Sequence, residues 1–151
     1  MTVIPDTTDR VAEHTSEAVN KAIRRDAEES VLHCAAHRDA IDGRLAELDR
    51  EWDVERALEA NAATIALVGL GLAATVDRRF LALPMAVAGF LLQHAVQGWC
   101  PPVPVMRRLG FRTEAEINEE RVALKALRGD FDGLPPEPDA RARRALAAAR
   151  A

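Results

Sequence analysis

The stretch TIALVGLGLAAT, residues 64–75, decides between two incompatible folds. Its Gly69, Gly71 and Ala74 satisfy the pattern G-x-G-x-x-G/A, which binds dinucleotides when it follows a buried strand and opens a helix. The same residues also form an uninterrupted apolar helix of the kind that enters a lipid bilayer. The sequence on either side of the stretch therefore has to decide the fold.

The surroundings of this stretch argue against a dinucleotide-binding fold. That fold needs a strand before the glycines and an acidic residue about 20 residues after them. The segment before the stretch is a charged helical sequence, and the position 20 residues after Gly69 is Gly89, with no Asp or Glu nearby. Strands and helices do not alternate anywhere in the pattern. We therefore interpret residues 64–75 as part of a helix.

Formal charge is segregated along the chain. Residues 62–99 contain only three charged side chains, those of Asp77, Arg78 and Arg79, although 29% of the whole chain is charged. These three separate two apolar runs, residues 62–76 and residues 80–96. The pattern predicts a two-helix transmembrane hairpin. Both runs are shorter than the usual span of about 20 residues, so we expect a thin or tilted hairpin, or polar ends in the headgroup layer.

Composition supports an all-α fold. Aromatic residues make up 4% of the chain and Tyr is absent, which is little for a β-rich core. The net charge of −4 gives no electrostatic reason to expect nucleic acid as a partner. The N-terminal residues do not show a basic segment followed by an apolar run, so we expect no cleaved signal peptide. Cys34 and Cys100 are too far apart in the sequence to indicate a disulfide framework.

Upstream of the hairpin we expect a long amphipathic helix. Apolar residues recur at helical spacing between residues 10 and 36. A second stripe follows at steps of four, three and four, and nothing in the sequence breaks the helix between Trp52 and Ala62. The first hairpin helix is therefore predicted to continue upstream as one rod, whose stripe contacts a partner helix or lipid headgroups. The stripe consists of Ile41, Leu45, Leu48 and Trp52.

Downstream of the hairpin, Thr113 and Glu116 form a capping box that predicts a short helix ending at Gly129. The expected organisation has four parts. They are an acidic amphipathic helical region (1–56), the hairpin (57–112), a cytoplasmic helix (113–131), and a linker with an Arg/Ala-rich tail (132–151).

Several residues suit the boundary between membrane and water. Trp52 and Trp99 fall on the same side of the hairpin, and indole rings favour that boundary. More arginines flank the hairpin than lie in its loop, so the positive-inside rule predicts that both termini are cytoplasmic. The predicted interfacial anchors are Trp52, Trp99, Arg78, Arg79, Arg107 and Arg108. Small residues at helix-contact spacing predict close packing or self-association, namely Gly69 with Ala73 and Ala82 with Ala86.

Three sets of residues are candidates for chemistry, each with a plainer structural interpretation. Cys100 is either a redox or sulfur-carrying thiol, if nearby arginines lower its pKa, or a small residue that fills a tight corner. His94, together with Gln93, is either a polar functional site or an interhelical hydrogen bond. His33 and His37 have metal-ligand spacing, but two ligands do not make a site. We therefore predict no catalytic residue, cofactor or metal.

One segment resembles a known family. Residues 57–112 carry a short glycine-containing helix, the basic loop at Arg78 and Arg79, the ending Gly-Trp-Cys-Pro at 98–101 and Arg-Leu-Gly at 108–110. In these features the segment resembles the YgaP-like transmembrane family, a two-helix inner-membrane module. The resemblance implies a membrane hairpin that self-associates, in a bacterial inner membrane. In well-known members the hairpin is fused to a rhodanese domain, which this sequence does not contain, so sulfurtransferase activity does not carry over.

The sequence thus predicts a non-catalytic membrane protein that acts as an anchor, scaffold or accessory subunit. Its expected partners are membrane lipid, further copies of itself and a larger membrane complex. Two alternatives remain open: a membrane-surface sulfur carrier or redox module that uses Cys100, and a soluble helical bundle that oligomerises through its apolar segments.

Overall fold

The computed structural model describes residues 10–150, and this part of the chain is all-helical. Helix accounts for 79% of these described residues, which confirms the predicted all-α class. Eight α-helices are present within the described range. They are α1 (Arg10–Glu13), α2 (Glu17–Ala36), α3 (Ile41–Leu48), α4 (Val54–Thr75), α5 (Ala82–Gln97), α6 (Val103–Arg108), α7 (Glu114–Arg128) and α8 (Pro138–Arg150).

The helices form two compact units, and each unit combines two separate stretches of chain. The first unit contains residues 10–23 and 52–114, and the second contains residues 24–51 and 115–150. The boundary between residues 23 and 24 falls inside α2, so this one helix contributes to both units. This division differs from the four consecutive regions that the sequence suggests, because helices distant in sequence pack together in each unit.

The first unit has a small apolar core at the beginning of α4 and the end of α5. Val54 and Leu58 of α4 pack there with Val103 of α6, and all three are almost completely buried. The chain enters this core from α5 through Gly98, whose φ of +74° lies in the left-handed region. A Cβ atom at Gly98 would lie 2.5 Å from the carbonyl oxygen of Arg10, so the close approach of α1 also requires glycine. The core is completed by Val11 and Cys100, with Leu91, Met106 and Phe111 against it.

The predicted rod of residues 51–76, continued upstream by the amphipathic stripe, is wrong, because the helix is interrupted between Leu48 and Val54. Asp53 has extended backbone angles, and its side chain accepts a hydrogen bond of 2.6 Å from the amide of Arg56, as an N-cap residue does. The amide of Val54 donates to the carbonyl of Arg112 at 2.8 Å instead of continuing a helix. A tertiary hydrogen bond and a local cap therefore start α4 afresh.

The second unit buries most of the predicted stripe. Ile41, Leu45 and Leu48 of α3 are buried, and they pack with Ile117 and Leu124 of α7. This stripe therefore packs within the chain, whereas its last member, Trp52, belongs to the first unit and is exposed. The apolar periodicity located the buried face correctly but did not identify what covers it.

An ion pair inside the second unit fixes α3 to α7. Arg44 donates from Nε and a terminal nitrogen to the two carboxylate oxygens of Glu120, at 2.8 and 3.2 Å, and the Glu120 side chain is fully buried. Burial of a carboxylate is tolerated when it is paired in this two-pronged geometry.

The C-terminal segment is more ordered than the sequence indicates. Residues 138–150, expected to be a tail, form α8, and Lys125 of α7 donates to the carbonyl of Ala149 at 2.8 Å. Helix α7 begins directly after Thr113 and is followed by Gly129 with φ +92°, as the capping box and the terminal glycine predict.

Candidate functional site

The most unusual surface of the protein is the apolar surface of α4 and of residues 78–97. Both helical segments are long and apolar enough to cross a membrane, by length and composition. Only 17% of the most apolar part of the first and 6% of the second is buried, whereas a core helix of a soluble protein is mostly buried. The exposed large apolar residues here are Leu67, Val68, Leu70, Val76, Phe80, Leu81, Leu83, Met85, Phe90, Leu92 and Val96. Monomeric soluble proteins rarely expose a contiguous apolar area of this kind.

The two apolar helices contact each other closely at Gly69. A Cβ atom there would lie 2.8 Å from Cδ of Pro84 and 3.1 Å from Cβ of Leu83. Gly71, two residues further on, has no atom within 4 Å of such a Cβ position and faces outward. The predicted close approach at Gly69 thus occurs within the chain. Of the other small residues, Ala73 is partly buried and Ala82 and Ala86 are exposed.

The two threonine hydroxyls within the apolar segments are bonded to their own helix. The hydroxyl of Thr64 donates to the carbonyl of Ala60 at 2.7 Å, and that of Thr75 donates to Gly71 at 2.8 Å. In the connection between the helices, the Asp77 carboxylate accepts from the amide of Arg79 at 2.7 Å. The predicted anchors Arg78 and Arg79 are exposed in this connection. Side-chain hydroxyls that bond to their own helix can be placed in an apolar environment at little cost.

A cluster of polar side chains joins the beginning of α4 to the end of α5. Nε2 of the buried His94 lies 2.6 Å from Oε2 of Glu55, and its N–H donates to that carboxylate. Arg10 of α1 donates to the other oxygen of Glu55 at 3.0 Å and to the carbonyl of Ala95 at 3.4 Å. We call Arg10, Glu55 and His94 the polar base. Gln93, the other predicted polar residue, is partly exposed.

Sequence reasoning identified His94 but missed its partner Glu55, and it also missed Arg10, which pairs with Glu55. His94 lies at the outer end of the second apolar run, whereas Glu55 lies seven residues before the first run and Glu59 is closer to it. The predicted hairpin therefore places an acidic residue near His94 but does not single out Glu55. No signal in the sequence pointed to Arg10, which comes from a short helix that is distant in the chain.

Cys100 lies in the apolar core of the first unit, and it is buried and not in a disulfide. Burial raises the pKa of the Cys100 thiol above its ordinary value. Arg107, which the redox interpretation placed beside the thiol, instead donates to the carbonyl of Phe111 and to Oδ1 of Asn20, each at 3.0 Å. A thiol with a raised pKa contains less thiolate at neutral pH, and the thiolate is the reactive form.

The predicted interfacial anchors divide into exposed and buried residues. The guanidinium of Arg56 lies 4.4 Å from the ring centroid of the exposed Trp52, a cation–π contact. Trp99 is partly exposed and Arg108 is exposed. Arg107 is almost completely buried, so the expectation that it faces lipid headgroups does not fit the structure. Its side chain instead supports the fold from inside.

One further feature bears on metal binding. The exposed rings of His33 and His37 stack with centroids 4.5 Å apart, and residues 10–150 contain no group of three His, Cys, Asp or Glu side chains that could hold a metal ion.

Comparisons with family models, curated proteins and solved structures find no match to this chain.

Proposed function

We propose that this chain is a non-catalytic integral protein of a bacterial inner membrane. In this proposal α4 and α5 form a transmembrane hairpin, and the hairpin anchors helical regions on the cytoplasmic side. The protein acts as an anchor, scaffold or accessory subunit. The observation that carries the proposal is the large apolar surface that α4 and residues 78–97 leave uncovered.

The energetics of that surface favour lipid as its environment. Eleven large apolar side chains between residues 67 and 96 are exposed. Transfer of the exposed part of each side chain from water into an apolar phase is favourable by on the order of 1 kcal/mol. Together the eleven side chains favour insertion into lipid by roughly 10 kcal/mol. The charged residues Asp77, Arg78 and Arg79 oppose insertion only if they stay in the hydrocarbon, and their position at the connection allows them to reach the opposite headgroup layer.

Residues at the other end of the hairpin also suit a membrane boundary. The charge of Glu55 is matched by Arg10 and by the hydrogen bond from His94. Such pairing lowers the cost of placing ionisable groups next to lipid. Trp52 and Trp99 supply indole rings at the same end of the helices, where aromatic residues are enriched in membrane proteins.

The resemblance of residues 57–112 to the YgaP-like transmembrane family agrees with this proposal and adds self-association to it. Ala82 and Ala86 are exposed on α5 and have the spacing at which helices of neighbouring copies approach closely. We therefore include further copies of the chain, and through them a larger membrane complex, among the proposed partners. Gly69 is excluded from this role because it already contacts α5 of its own chain.

The proposal is tested by washing membranes that contain the protein with alkaline carbonate. We expect the natural chain to remain in the membrane pellet and to require detergent for extraction. The variant L67K/L92K should lose membrane retention, because Leu67 lies near the centre of its apolar run, where a lysine costs about 2.5–3.5 kcal/mol, and Leu92→Lys places a second charge on the exposed face of α5. The control is L32K/L146K, which places lysine at two equally apolar positions outside the hairpin; Leu32 and Leu67 are both 69% exposed.

Release of the natural chain into the carbonate supernatant would contradict the proposal. If the released protein forms a defined oligomer without detergent, the alternative of a soluble helical bundle is correct instead. Equal loss of retention in the two lysine variants would also argue against a specific membrane role for the hairpin.

A further inference from the structure

Helix α6 has two different faces. Val103 and Arg107, one turn apart, are buried in the first unit. On the opposite side Val105 is 57% exposed and Leu109, the residue that caps the helix, is 72% exposed. Arg108 lies exposed between them. An outward pair of apolar residues with an adjacent cation is typical of a helix that lies on a lipid surface.

The position of α6 along the hairpin is set by its contacts. Val103 packs against Val54 and Leu58, which belong to the first two turns of α4. Helix α6 also begins only a few residues after α5 ends at Gln97. It therefore lies at the level where α4 begins and α5 ends, close to Trp52 and Trp99 along the chain.

The length of the hairpin determines where this level falls in a bilayer. The uncharged part of α4, residues 60–75, is about 24 Å long at a rise of about 1.5 Å per residue. The corresponding part of the second segment, residues 80–93, is about 21 Å long. The hydrocarbon core is about 30 Å thick. If Arg78 and Arg79 reach the far headgroups, the polar base must be drawn inward, or the bilayer must thin around it, by roughly 6–9 Å.

We infer that α6 lies in the membrane surface on the side of the polar base, with Val105 and Leu109 in contact with lipid and Arg108 among the headgroups. This inference rests on the proposed membrane function. Because the hairpin is short, α6 lies at the depth where headgroups meet acyl chains. A helix at that depth needs an apolar outward face, and Val105 and Leu109 give α6 such a face. Lipid is thus the occupant that fits both the residues and their level.

Spin labels attached to single cysteines test the inference in vesicles of phosphatidylcholine and phosphatidylglycerol. The substitutions are Val105→Cys and Leu109→Cys in a C34A/C100A background, and collisions with oxygen and with a water-soluble nickel chelate are measured. Val122→Cys on α7 is the matched control, because Val122 is 54% exposed but lies in the second unit. Leu67→Cys reports on the hairpin itself.

We expect the ratio of oxygen to nickel accessibility at positions 105 and 109 to be several-fold higher than at position 122, and lower than at position 67. A ratio at 105 and 109 equal to that at 122, with position 67 still in lipid, overturns the inference and leaves the hairpin intact. Protection of 105 and 109 from both reagents, with an immobilised label, also overturns it, because protein then covers this face. Nickel access at position 67 overturns the membrane proposal as well.

Discussion

His94 and Glu55 connect the end of α5 to the beginning of α4 through one hydrogen bond of 2.6 Å. Replacing Glu55 by alanine removes the acceptor for the buried imidazole N–H and the ion-pair partner of Arg10. Leaving a buried donor without an acceptor costs about 1–3 kcal/mol. We therefore expect Glu55→Ala to lower the free energy of unfolding by that amount, measured by denaturant titration in detergent micelles with Trp fluorescence.

The control for this prediction lies one turn further along the same helix. Glu59 is exposed, and Glu59→Ala should change the free energy of unfolding by less than about 0.5 kcal/mol, as surface substitutions do. Glu55→Gln retains an oxygen acceptor for His94 but loses the charge that attracts Arg10, so we expect an intermediate loss. Equal stabilities of the Glu55→Ala and Glu59→Ala variants would show that the polar base does not hold the two helices together.

The sequence indicates which polar residues are unusual, but it does not indicate which groups surround them in the folded protein. His94 was recognisable because a histidine near the end of an apolar run needs a partner. The burial of Arg107 was not recognisable, because an arginine beside Arg108 after an apolar run has the pattern of a surface anchor. The carbonyl of Phe111 is a local partner, but Asn20 is distant in the sequence and is brought to Arg107 only by tertiary packing. The raised pKa of Cys100 likewise follows from burial that the sequence alone does not specify.

At the scale of helices, the close contact between α4 and α5 depends on one glycine. A methyl group at Gly69 would lie 2.8 Å from the ring of Pro84 and 3.1 Å from Cβ of Leu83, so the helices must separate. Such overpacking costs about 1–3 kcal/mol. Alanine also gains about 1 kcal/mol of helix propensity over glycine, but we expect the overpacking to outweigh this gain. The Gly69→Ala variant should therefore have a lower melting temperature in detergent than the natural protein.

Gly71→Ala is the matched control for this effect. It lies in the same helix, and its added methyl group would have no atom within 4 Å. The gain in helix propensity is then not opposed, so the Gly71→Ala variant should be as stable as the natural protein or more stable. A stabilising effect of alanine at both positions would mean that α4 and α5 do not pack at Gly69 in micelles.

The helices themselves were predictable where a local signal exists. The apolar runs correspond to α4 and α5, and the capping box and Gly129 bound α7. The interruption between α3 and α4 was missed because its cause is partly non-local: the amide of Val54 is bonded to the carbonyl of Arg112. Its local part, the cap at Asp53, has no distinct signal in the sequence because other acidic residues surround it. Helix α8 was underestimated because Arg/Ala repeats indicate helix propensity but not the contact between Lys125 and Ala149.

At the scale of the whole molecule, helical periodicity identifies a buried face but not the helix that covers it. Ile41, Leu45 and Leu48 were expected to contact a partner helix or lipid headgroups, and the helix that covers them is α7 of the same chain. This distinction matters for the proposed role. The second unit has its own apolar core, whereas most of the exposed large apolar side chains lie in the first unit, on α4 and residues 78–97.

The orientation of the hairpin in the membrane is a separate prediction. Six arginines lie within about 20 residues of the two apolar runs and two lie in the connection between them, so both termini should be cytoplasmic. The six are Arg44, Arg50, Arg56, Arg107, Arg108 and Arg112. Arg107 and Arg112 are buried in the folded protein, but the positive-inside rule acts on the chain as it inserts, and they still count. A fluorescent protein fused after residue 151 should therefore fluoresce, whereas alkaline phosphatase at that site should be inactive. Phosphatase inserted after Asp77 should be active.

Charge substitutions then test whether the arginine distribution is the cause of that orientation. Asp77→Arg adds a cation to the connection and should lower the C-terminal ratio of fluorescence to phosphatase activity. The matched change Asp139→Arg should not alter it, because residue 139 lies beyond the roughly 15–20 residues over which flanking charge acts. Active phosphatase at the C-terminus of the natural chain would reverse the predicted topology. Inactive phosphatase after Asp77, with a fluorescent C-terminus, would instead indicate a hairpin that enters the bilayer and returns without crossing it. This outcome would be informative because both apolar segments are short for a complete span.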